Sequence, residues 1–330
     1  MSGLRKKISA VGLANRSIAW KTVPSMERSD TSINQQPRRA LILGFGYVGS
    51  RVGQMLAEGG VEVWAVSRTK PAAFAESEGH GIHWYGADLT EPGTLAGLSG
   101  NFDDVLFSAS SSRGTMEDYE DIYCRGLQYT MDWLIQTKLP KRFVYLSSTG
   151  VYGQDDGKWV DETMPTDPVS PTGKILVRAE KLVCECYEAS GFPGMILRLS
   201  GIYGPGRGYA LKRILNGDAV IELPGDRWVN MIHRDDAAMA VISALESGVP
   251  GETYNVTDNE PVHQRAFYEW LAKSSGQPAP PFVDADPLKL TKRRVTSKRI
   301  SNSKISKLSQ FKLKYPAYRD GYAQLLLPWT

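Results

Sequence analysis

Residues 40–49 have the sequence Ala-Leu-Ile-Leu-Gly-Phe-Gly-Tyr-Val-Gly, and this stretch decides the fold. The apolar run 40–43 is typical of a strand buried in a parallel sheet. A helical pattern that includes Val52 and Leu56 follows it and ends at the glycine pair 59–60. The stretch therefore predicts a strand, a glycine-rich turn and a helix, in that order.

The three glycines of this turn have the spacing G-x-G-x-x-G, and each has a physical task. Gly44 permits a tight turn, Gly46 lets the backbone approach a pyrophosphate, and Gly49 lets the helix pack closely on the strand. The free N–H groups at the start of the helix, which begins around Tyr47 and Val48, then bind the phosphates. Since the motif lies between a strand and a helix, it predicts a dinucleotide-binding loop.

Strand and helix patterns alternate along the next 150 residues. Strand patterns occur at 61–66, 82–85, 105–107, 143–146 and 195–199, and the clearest helical patterns between them are 119–136 and 175–189. Such alternation predicts an α/β fold with a doubly wound parallel sheet. After Gly201 the pattern loosens into shorter elements, which predicts a smaller C-terminal lobe. Residues 1–38 are predicted to be a flexible N-terminal extension.

Composition excludes several classes of protein. The 330 residues are 42% apolar and 23% charged, as in a globular protein and unlike a disordered or fibrous one. No stretch approaches the roughly 18 uninterrupted apolar residues of a membrane-spanning helix, so no membrane partner is expected. Three cysteines cannot form a disulfide framework, and the four histidines form no cluster with the spacing of metal ligands. We therefore expect no metal and a reducing compartment, with the cytoplasm as the predicted location.

The positive charge of the chain is concentrated at its two ends. Residues 1–40 carry eight Lys or Arg and two acids, and residues 289–314 carry ten Lys or Arg and no acid, whereas 41–288 has 20 basic and 33 acidic residues. A nucleic-acid-binding protein usually spreads positive charge over its folded body, so nucleic acid is not an expected partner. The basic, serine-rich segment 1–38 has no apolar core of a secretory signal. An organellar transit peptide, for a plastid or a mitochondrion, is the alternative to a flexible extension.

The end of the second predicted strand indicates which dinucleotide binds. A site for NAD has Asp or Glu about 20 residues after the glycine motif, where it bonds the ribose 2′-hydroxyl. This chain has Ser67 and Arg68 there, which suit a 2′-phosphate, so NADP(H) is predicted and NAD is the alternative. Arg51 is either a second cation of this site or a solvated surface charge. Asp88, followed by Leu89 after the third predicted strand, is a candidate partner of the adenine amino group or a turn cap.

The sequence resembles the extended short-chain dehydrogenase/reductase family, whose members include nucleotide-sugar epimerases and dehydratases. The resemblance runs from about residue 39 to near the C-terminus. It is carried by the segments 44–49, 87–89, 146–153 (Leu-Ser-Ser-Thr-Gly-Val-Tyr-Gly), 198–206 (Arg-Leu-Ser-Gly-Ile-Tyr-Gly-Pro-Gly) and 232–236 (Ile-His-Arg-Asp-Asp). It implies that 39–200 is an NAD(P)-binding Rossmann domain to which 228–250 returns. It also implies that 201–330 is mostly a small, discontinuous C-terminal lobe that closes over a substrate.

The resemblance also implies a Tyr-x-x-x-Lys pair, which moves protons in this family. The matching helix here begins Ser-Pro-Thr-Gly-Lys at 170–174. Alignment on Glu180 puts Thr172 at the position of the tyrosine and Leu176 at that of the lysine, and alignment on Lys174 puts Ser170 at the position of the tyrosine. Neither alignment contains a tyrosine, and a threonine hydroxyl is far too weak an acid to replace a phenol. The chain is therefore similar to an atypical branch of the family that keeps the fold and the cofactor motifs.

Other residues remain as candidates for the chemistry. Ser148 and Thr149 follow a central predicted strand, at the sheet edge where ligands bind. Tyr152 and Tyr123 are candidates for a displaced acid, and Lys174 is a candidate for binding the nicotinamide ribose. For the two tyrosines and Lys174, packing or solvation is an equal alternative. His233 is interpreted as structural, with Asp235 or Asp236 as a helix cap.

The substrate is indicated only in outline. The position at which nucleotide-sugar enzymes usually have an arginine for the diphosphate is Val229, which lowers the expectation of such a substrate. Arg293, Arg294, Lys298 and Arg299 are either a cationic wall for an anionic substrate or solvated charges. Two functions are predicted: an NADP(H)-dependent oxidoreductase or epimerase-type enzyme for a small polar substrate, and a catalytically inactive NAD(P)-binding redox sensor or scaffold. The sequence predicts no oligomeric state.

Overall fold

A computed structural model describes residues 37–71, 74, 81–111, 114–284 and 296–326, and its main element is a sheet of seven parallel strands. The strands are β1 (Arg39–Leu43), β2 (Glu62–Ser67), β3 (Ile82–Gly86), β4 (Asp104–Phe107), β5 (Arg142–Ser148), β7 (Gly194–Leu199) and β12 (Thr253–Val256). Their order across the sheet is β12-β7-β5-β4-β1-β2-β3. The predicted α/β fold with a doubly wound parallel sheet is therefore confirmed, and each predicted strand matches one of these seven.

Helices cover both faces of the sheet. They are α1 (Tyr47–Glu58), α2 (Met116–Glu120), α3 (Leu127–Gln136), α4 (Pro171–Ser190), α5 (Tyr209–Leu215), α6 (Arg234–Ser247), α7 (Gln264–Ser274) and α8 (Tyr318–Leu326), with a π-helical segment, Asp121–Gly126, between α2 and α3. Apolar residues of α1 and α6 form one core with the sheet, and those of α3 and α4 form a second core on the other face. None of the helices in the described ranges is long and apolar enough to cross a membrane.

Short strands and the remaining helices form the C-terminal lobe. The strands are β6 (Trp159–Val160), β8 (Gly201–Tyr203), β9 (Ile221–Glu222), β10 (Trp228–Val229), β11 (Met231–His233), β13 (Val262–His263), β14 (Phe282–Val283) and β15 (Arg299–Ile300). They form four two-stranded sheets that pair β15 with β6, β11 with β8, β14 with β9, and β10 with β13. Helices α5, α7 and α8 share a third core, which is rich in aromatic side chains.

The chain crosses between the two regions more than once. After β11, helix α6 packs on α1, and β12 then pairs with β7 as the last strand of the main sheet. The predicted N-terminal extension lies outside the described residues, apart from 37 and 38. The division of the chain into domains stays a prediction.

The strand order places a crevice at one edge of the sheet. Counting from β1, the chain first builds outward through β2 and β3 and then resumes on the other side with β4 and β5. Parallel strands all end at the same edge, and ligands of open α/β sheets bind where the order reverses. The site is therefore expected beyond the carboxyl ends of β1 and β4.

Candidate functional site

The loop after β1 meets the geometric demands of a dinucleotide loop. Gly44 has φ +96°, its N–H donates to the carbonyl oxygen of Val66 at 2.9 Å, and a Cβ on it would overlap the backbone of Ala109. A Cβ on Gly49 would overlap the carbonyl oxygen of Gly44, so this glycine lets α1 pack on the turn. A Cβ on Gly46 would have no atom within 4 Å, so the space beside the start of α1 is open. The three glycines thus provide a turn, an open approach and a close packing contact.

A cleft of about 270 Å³ lies against this loop, at the edge where the strand order reverses. It is bounded by the segments that follow β1, β2, β3 and β4. Its lining includes Gly44, Phe45, Gly46, Ser67, Arg68, Thr69, Asp88, Leu89, Ser108 and Ala109. Most of the residues predicted to bind a cofactor are therefore brought together in one cleft. Tyr47, Val48 and Gly49 follow directly as the first residues of α1.

The hydroxyl of Ser67 is already engaged within the fold. The indole N–H of Trp84 donates to Ser67 Oγ at 3.0 Å, and Ser67 Oγ donates to the carbonyl oxygen of Thr69 at 2.8 Å. A serine oxygen accepts two hydrogen bonds, so one acceptor position remains. Arg68 is exposed beside it. The donor to a 2′-phosphate at this end of β2 would therefore be Arg68, with Ser67 holding the turn.

The Asp88 carboxylate caps the turn that follows β3. Its Oδ1 accepts from the N–H of Thr90 at 3.0 Å and from the hydroxyl of Thr90 at 2.7 Å. The side chain is half-buried and lines the cleft. Leu89 is buried next to it. The turn cap expected of Asp88 is thus present, and it leaves Oδ2 as a possible acceptor in the cleft.

Tyr47 joins α1 to the loop that follows β8. Its hydroxyl donates to the carbonyl oxygen of Pro205 at 2.9 Å. The guanidinium groups of Arg207 and Arg234 each lie 5.2 Å from the centre of its ring. Arg51, one helical turn further on, pairs with Asp235 at 3.1 Å, so the expectation of a solvated surface charge is not met.

Ser148 and Thr149 form a short turn at the carboxyl end of β5. The N–H of Gly150 donates to Ser148 Oγ at 3.1 Å, and Thr149–Val151 forms a single turn of 3₁₀ helix. Both side chains are half-buried, so both hydroxyls are placed at an accessible sheet edge. The acceptance from Gly150 leaves the Ser148 hydroxyl proton for another partner.

The first turn of α4 packs directly against that turn. Ser170 caps the helix by accepting from the N–H of Gly173 at 3.1 Å. A Cβ on Gly173 would lie 2.9 Å from the carbonyl oxygen of Gly150, so the two turns touch through their backbones. Thr172 is half-buried and Lys174 is exposed. The structure therefore brings the 148–150 and 172–174 segments together.

Tyr152, which follows the turn after β5, lies in the protein interior. It is fully buried, its hydroxyl donates to Asn255 Oδ1 at 2.9 Å, and it accepts from Arg198 Nη1 at 2.7 Å. Arg198 in turn pairs with Glu180 at 2.7 Å. Burial raises the pKa of Tyr152, and the adjacent Arg198 offsets only part of that rise. This arrangement favours the packed, structural interpretation of Tyr152 over the acid.

Tyr123 packs against an apolar cluster that contains Val151, Tyr152 and Leu176. It is half-buried in the π-helical segment, whereas Tyr152 is fully buried. Burial raises the pKa of Tyr123 to about 12. Of the two phenols, Tyr123 is therefore the more exposed.

His233 has the structural role expected of it, by a different arrangement. It is fully buried and caps α6 itself, because its Nδ1 accepts from the N–H of Asp235 at 3.2 Å. Asp236 instead accepts from the backbone N–H groups of Lys314 and Tyr315 at 2.7 and 3.0 Å. The expectation that Asp235 or Asp236 caps this helix is therefore wrong. Burial lowers the pKa of His233 to about 4, so the imidazole is neutral at physiological pH.

The expected cationic wall is not formed by the members that the structure describes. Lys298 is only 5% exposed, and its Nζ donates to the carbonyl oxygen of Tyr152 at 3.0 Å. The Arg299 guanidinium lies 5.1 Å from the ring centres of both Trp159 and Trp228. Both cations thus serve contacts within the fold. Arg293 and Arg294 lie outside the described residues.

Sequence reasoning missed the cluster of Tyr47, Arg207 and Arg234 beside the cofactor loop. The available signal was the segment Gly-Pro-Gly-Arg at 204–207, since Pro followed by Gly predicts a tight turn that presents the next residue. Among the described residues, no group of three or more His, Cys, Asp or Glu side chains is placed to hold a metal ion.

Comparisons with known proteins agree with this geometry. The family described as the NAD dependent epimerase/dehydratase family matches residues 40–257. Protein YeeZ of Escherichia coli strain K12 is 26% identical over 84% of this chain and 97% of its own length. A Methylobacillus flagellatus structure, described provisionally as an NAD-dependent epimerase/dehydratase, is 31% identical with a TM-score of 0.70 and covers 88% of this chain and 98% of its own. The dTDP-glucose 4,6-dehydratase DesIV of Streptomyces venezuelae, solved with NAD and TYD bound, is 19% identical with a TM-score of 0.75 over 87% and 95% of the two chains, and shares the fold.

Proposed function

Because this chain belongs to the NAD dependent epimerase/dehydratase family, we propose that it binds NADP(H) and acts on a small polar substrate as an oxidoreductase or epimerase-type enzyme. The observation that carries the proposal is the open approach at Gly46, beside the start of α1 and the 270 Å³ cleft. A pyrophosphate needs a gap next to unpaired helix N–H groups, and this position supplies one.

The choice of NADP(H) over NAD(H) rests on the residues at the end of β2. The cleft lining at the end of β2 and just after it consists of Val66, Ser67, Arg68, Thr69 and Pro71, without a carboxylate to bond a ribose 2′-hydroxyl. A guanidinium forms strong charge-assisted hydrogen bonds with phosphate. Arg68 is therefore the proposed partner of the 2′-phosphate.

The nicotinamide would supply hydride transfer when bound, and the chain would position the substrate and its protons. Ser148 and Thr149 are the proposed donors to a substrate oxygen, because both lie at the carboxyl end of β5 with half-buried hydroxyls. Thr172 and Lys174 stand on the adjacent turn of α4. Tyr123 is the proposed acid among the two phenols because it is half-buried whereas Tyr152 is fully buried, and burial raises the pKa of Tyr123 to about 12.

A second function is favoured by particular observations at the same junction. Tyr152 is committed to Arg198 and Asn255, and Lys174 is exposed. The alignments made on Glu180 and on Lys174 put Thr172 or Ser170 at the position where the family has its tyrosine. A protein with this arrangement could keep the cofactor site and lack catalysis, as a redox sensor or a scaffold. Both functions require cofactor binding, so that requirement is tested first.

The test is a titration of the purified protein with NADPH and with NADH, in which thermal unfolding is measured at each ligand concentration. Binding to the native state raises the Tm by mass action. Gly46→Ala is the informative variant, since φ −92° and an open surrounding let the protein fold with alanine there while its methyl group obstructs a pyrophosphate. Gly59→Ala, at the other end of α1 with φ −81°, is the matched control.

The expected result is a Tm rise with NADPH that is larger than with NADH, is retained in Gly59→Ala and is lost in Gly46→Ala. A wild-type protein that responds to neither dinucleotide would refute both functions. If NADPH binds, the next measurement is the oxidation of NADPH in the presence of a panel of small aldehydes and ketones. Oxidation with any of them supports the enzyme, and oxidation with none supports the inactive sensor or scaffold. Turnover that is unchanged in Ser148→Ala would remove Ser148 from the proposed chemistry.

A further inference from the structure

The loop after β8 ends in a rigid turn that presents Arg207. The N–H of Gly204 donates to the carbonyl oxygen of Arg207 at 3.1 Å, and the N–H of Arg207 donates back to Gly204 at 2.9 Å. Pro205 and Gly206 are the two central residues, and Gly206 has φ +74°. Proline followed by a glycine with positive φ is the pattern of a type II turn. The backbone of Arg207 is therefore fixed, while its side chain is exposed.

This turn is fastened to the first residue of the proposed cofactor helix. Tyr47, which directly follows Gly46, donates its hydroxyl to the carbonyl oxygen of Pro205 at 2.9 Å. A Cβ on Gly204 would lie 2.9 Å from the Tyr47 hydroxyl, so the approach is as close as glycine allows. The Arg207 guanidinium lies over the Tyr47 ring, 5.2 Å from its centre. A cation from the C-terminal half of the chain thus stands beside the start of α1.

The charges around Tyr47 do not balance. Arg51 and Arg234 share one carboxylate, that of Asp235, at 3.1 and 3.3 Å. Arg207 has no ion-pair partner among the described residues. The three guanidinium groups and the one carboxylate together carry a formal charge of +2. This charge lies around Tyr47, at the end of α1 where the first N–H groups have no partner within the helix. A pyrophosphate diester carries two negative charges, so it would neutralise this cluster.

From this arrangement we infer that Arg207 is a further cofactor-binding residue, which contacts the pyrophosphate of the dinucleotide from the turn after β8. The inference rests on the proposed function, since it assumes that a dinucleotide occupies the loop at Gly44–Gly49. It adds a residue outside the glycine motif, and it links cofactor binding to the loop that begins the C-terminal lobe. Tyr47 then acts as a positioning residue that holds both the turn and the guanidinium over the site.

The experiment compares the dissociation constants of NADPH, NADH and ADP-ribose for the wild-type protein, Arg207→Ala and Arg207→Lys. All three ligands contain the pyrophosphate, whereas only NADPH has the 2′-phosphate and ADP-ribose lacks nicotinamide. We expect Arg207→Ala to weaken all three by a similar factor, about tenfold for the loss of a charge-assisted hydrogen bond. The dissociation constants of Arg207→Lys should lie between those of the wild type and those of Arg207→Ala, because lysine keeps the charge and loses the planar pair of donors.

Arg213→Ala is the matched control, because Arg213 is also an arginine near a tyrosine ring, that of Tyr209, 5.9 Å away on α5. Its affinities should equal those of the wild type. Equal affinities in Arg207→Ala would overturn the inference while leaving the proposed function intact. A loss confined to NADPH would also overturn it, since Arg207 would then contact the 2′-phosphate. A wild-type protein that binds none of the three ligands would instead refute the proposed function itself.

Discussion

The charge of the side chain at position 68, directly after β2, is expected to decide whether the protein prefers NADPH or NADH. Arg68 is exposed next to the cleft, and an aspartate in its place would repel a 2′-phosphate and accept a hydrogen bond from a 2′-hydroxyl. We predict that Arg68→Asp lowers the preference for NADPH over NADH by about tenfold or more. The measurement is the ratio of the two dissociation constants. A ratio that does not change would place the 2′-phosphate away from Arg68.

Asp258 makes a second prediction, which concerns pH. The residue is 1% exposed, its Oδ2 has no hydrogen-bond partner within the described ranges, and burial raises the pKa of the carboxyl to about 8. The folded protein therefore keeps a proton that the unfolded chain loses near pH 4. The resulting stabilisation is complete below about pH 4 and is lost as the pH rises through 8.

Asp258→Asn should remove this dependence, because the amide stays neutral and keeps an oxygen for the N–H of Glu260, which Asp258 Oδ1 accepts at 3.2 Å. We expect the variant to have a Tm higher than the wild type by roughly 2–4 °C at pH 8.5 and no advantage at pH 4. Thermal unfolding across this pH range is the measurement. A constant difference between the two proteins at every pH would show that Asp258 does not titrate in this range.

The role of a single residue can be predicted from the sequence when it depends on neighbouring residues. It cannot be predicted when it depends on contacts with residues far along the chain. Gly44, Gly46 and Gly49 act within one turn, so their spacing alone predicts their geometry. Tyr152 looked like a candidate acid from its motif. The side chains that bond its hydroxyl, those of Arg198 and Asn255, lie 46 and 103 residues further along the chain. No local pattern predicts that a phenol will be buried against residues so far away.

At the scale of elements, a buried polar network joins β5, α4 and β7. Ser147 donates to Glu180 at 2.6 Å, Glu180 pairs with Arg198, and Arg198 donates to the Tyr152 hydroxyl. Removing one member of such a network leaves its buried partners without a hydrogen bond. The network therefore orients the turn after β5, on which Ser148 and Thr149 lie.

Tyr152→Phe should cost about 1–3 kcal/mol in the free energy of unfolding, because Arg198 Nη1 and Asn255 Oδ1 both lose their partner. Tyr145→Phe is the control, since Tyr145 is also fully buried and its hydroxyl has no hydrogen-bond partner in the part of the chain that the structure describes. We expect that substitution to be close to neutral. Urea unfolding of the two variants measures the difference, and equal costs would show that the hydrogen bonds of Tyr152 contribute nothing.

The sequence predicts long elements better than short ones. Strands β1, β4, β5 and β7 contain runs of Val, Leu, Ile, Met or Phe, which indicate buried strands without reference to the rest of the chain. Strand β12, with the sequence Thr-Tyr-Asn-Val, has no such run and is not predicted from the sequence. The pairing of β6 with β15 joins two residues to two others about 140 positions away. Two residues carry no periodicity, so neither the strands nor their pairing can be predicted from local patterns.

At the scale of the whole molecule, the two faces of the sheet depend on different parts of the chain. The face that carries α3 and α4 is built from residues before 200. The other face is covered by α1 and α6. Three buried side chains of α6, those of Ala237, Val241 and Ala244, share one core with the apolar residues of α1, which include Val48 and Val52. Segment 234–256, which includes β12 as the last strand of the sheet, therefore completes the core on which α1 rests.

A chain that ends at residue 200 should consequently fail to form a native cofactor domain, although it contains all of the predicted domain 39–200 without the returning segment. It would expose the apolar face of α1 and leave β7 as an unpaired sheet edge, a surface prone to aggregation. We expect this fragment to lose near-UV circular dichroism, to bind a hydrophobic dye and to give no cooperative thermal transition, whereas the full chain under the same conditions unfolds cooperatively. A fragment with a sharp transition that NADPH shifts upward would contradict this, because residues 39–200 would then fold and bind the cofactor without α6 and β12.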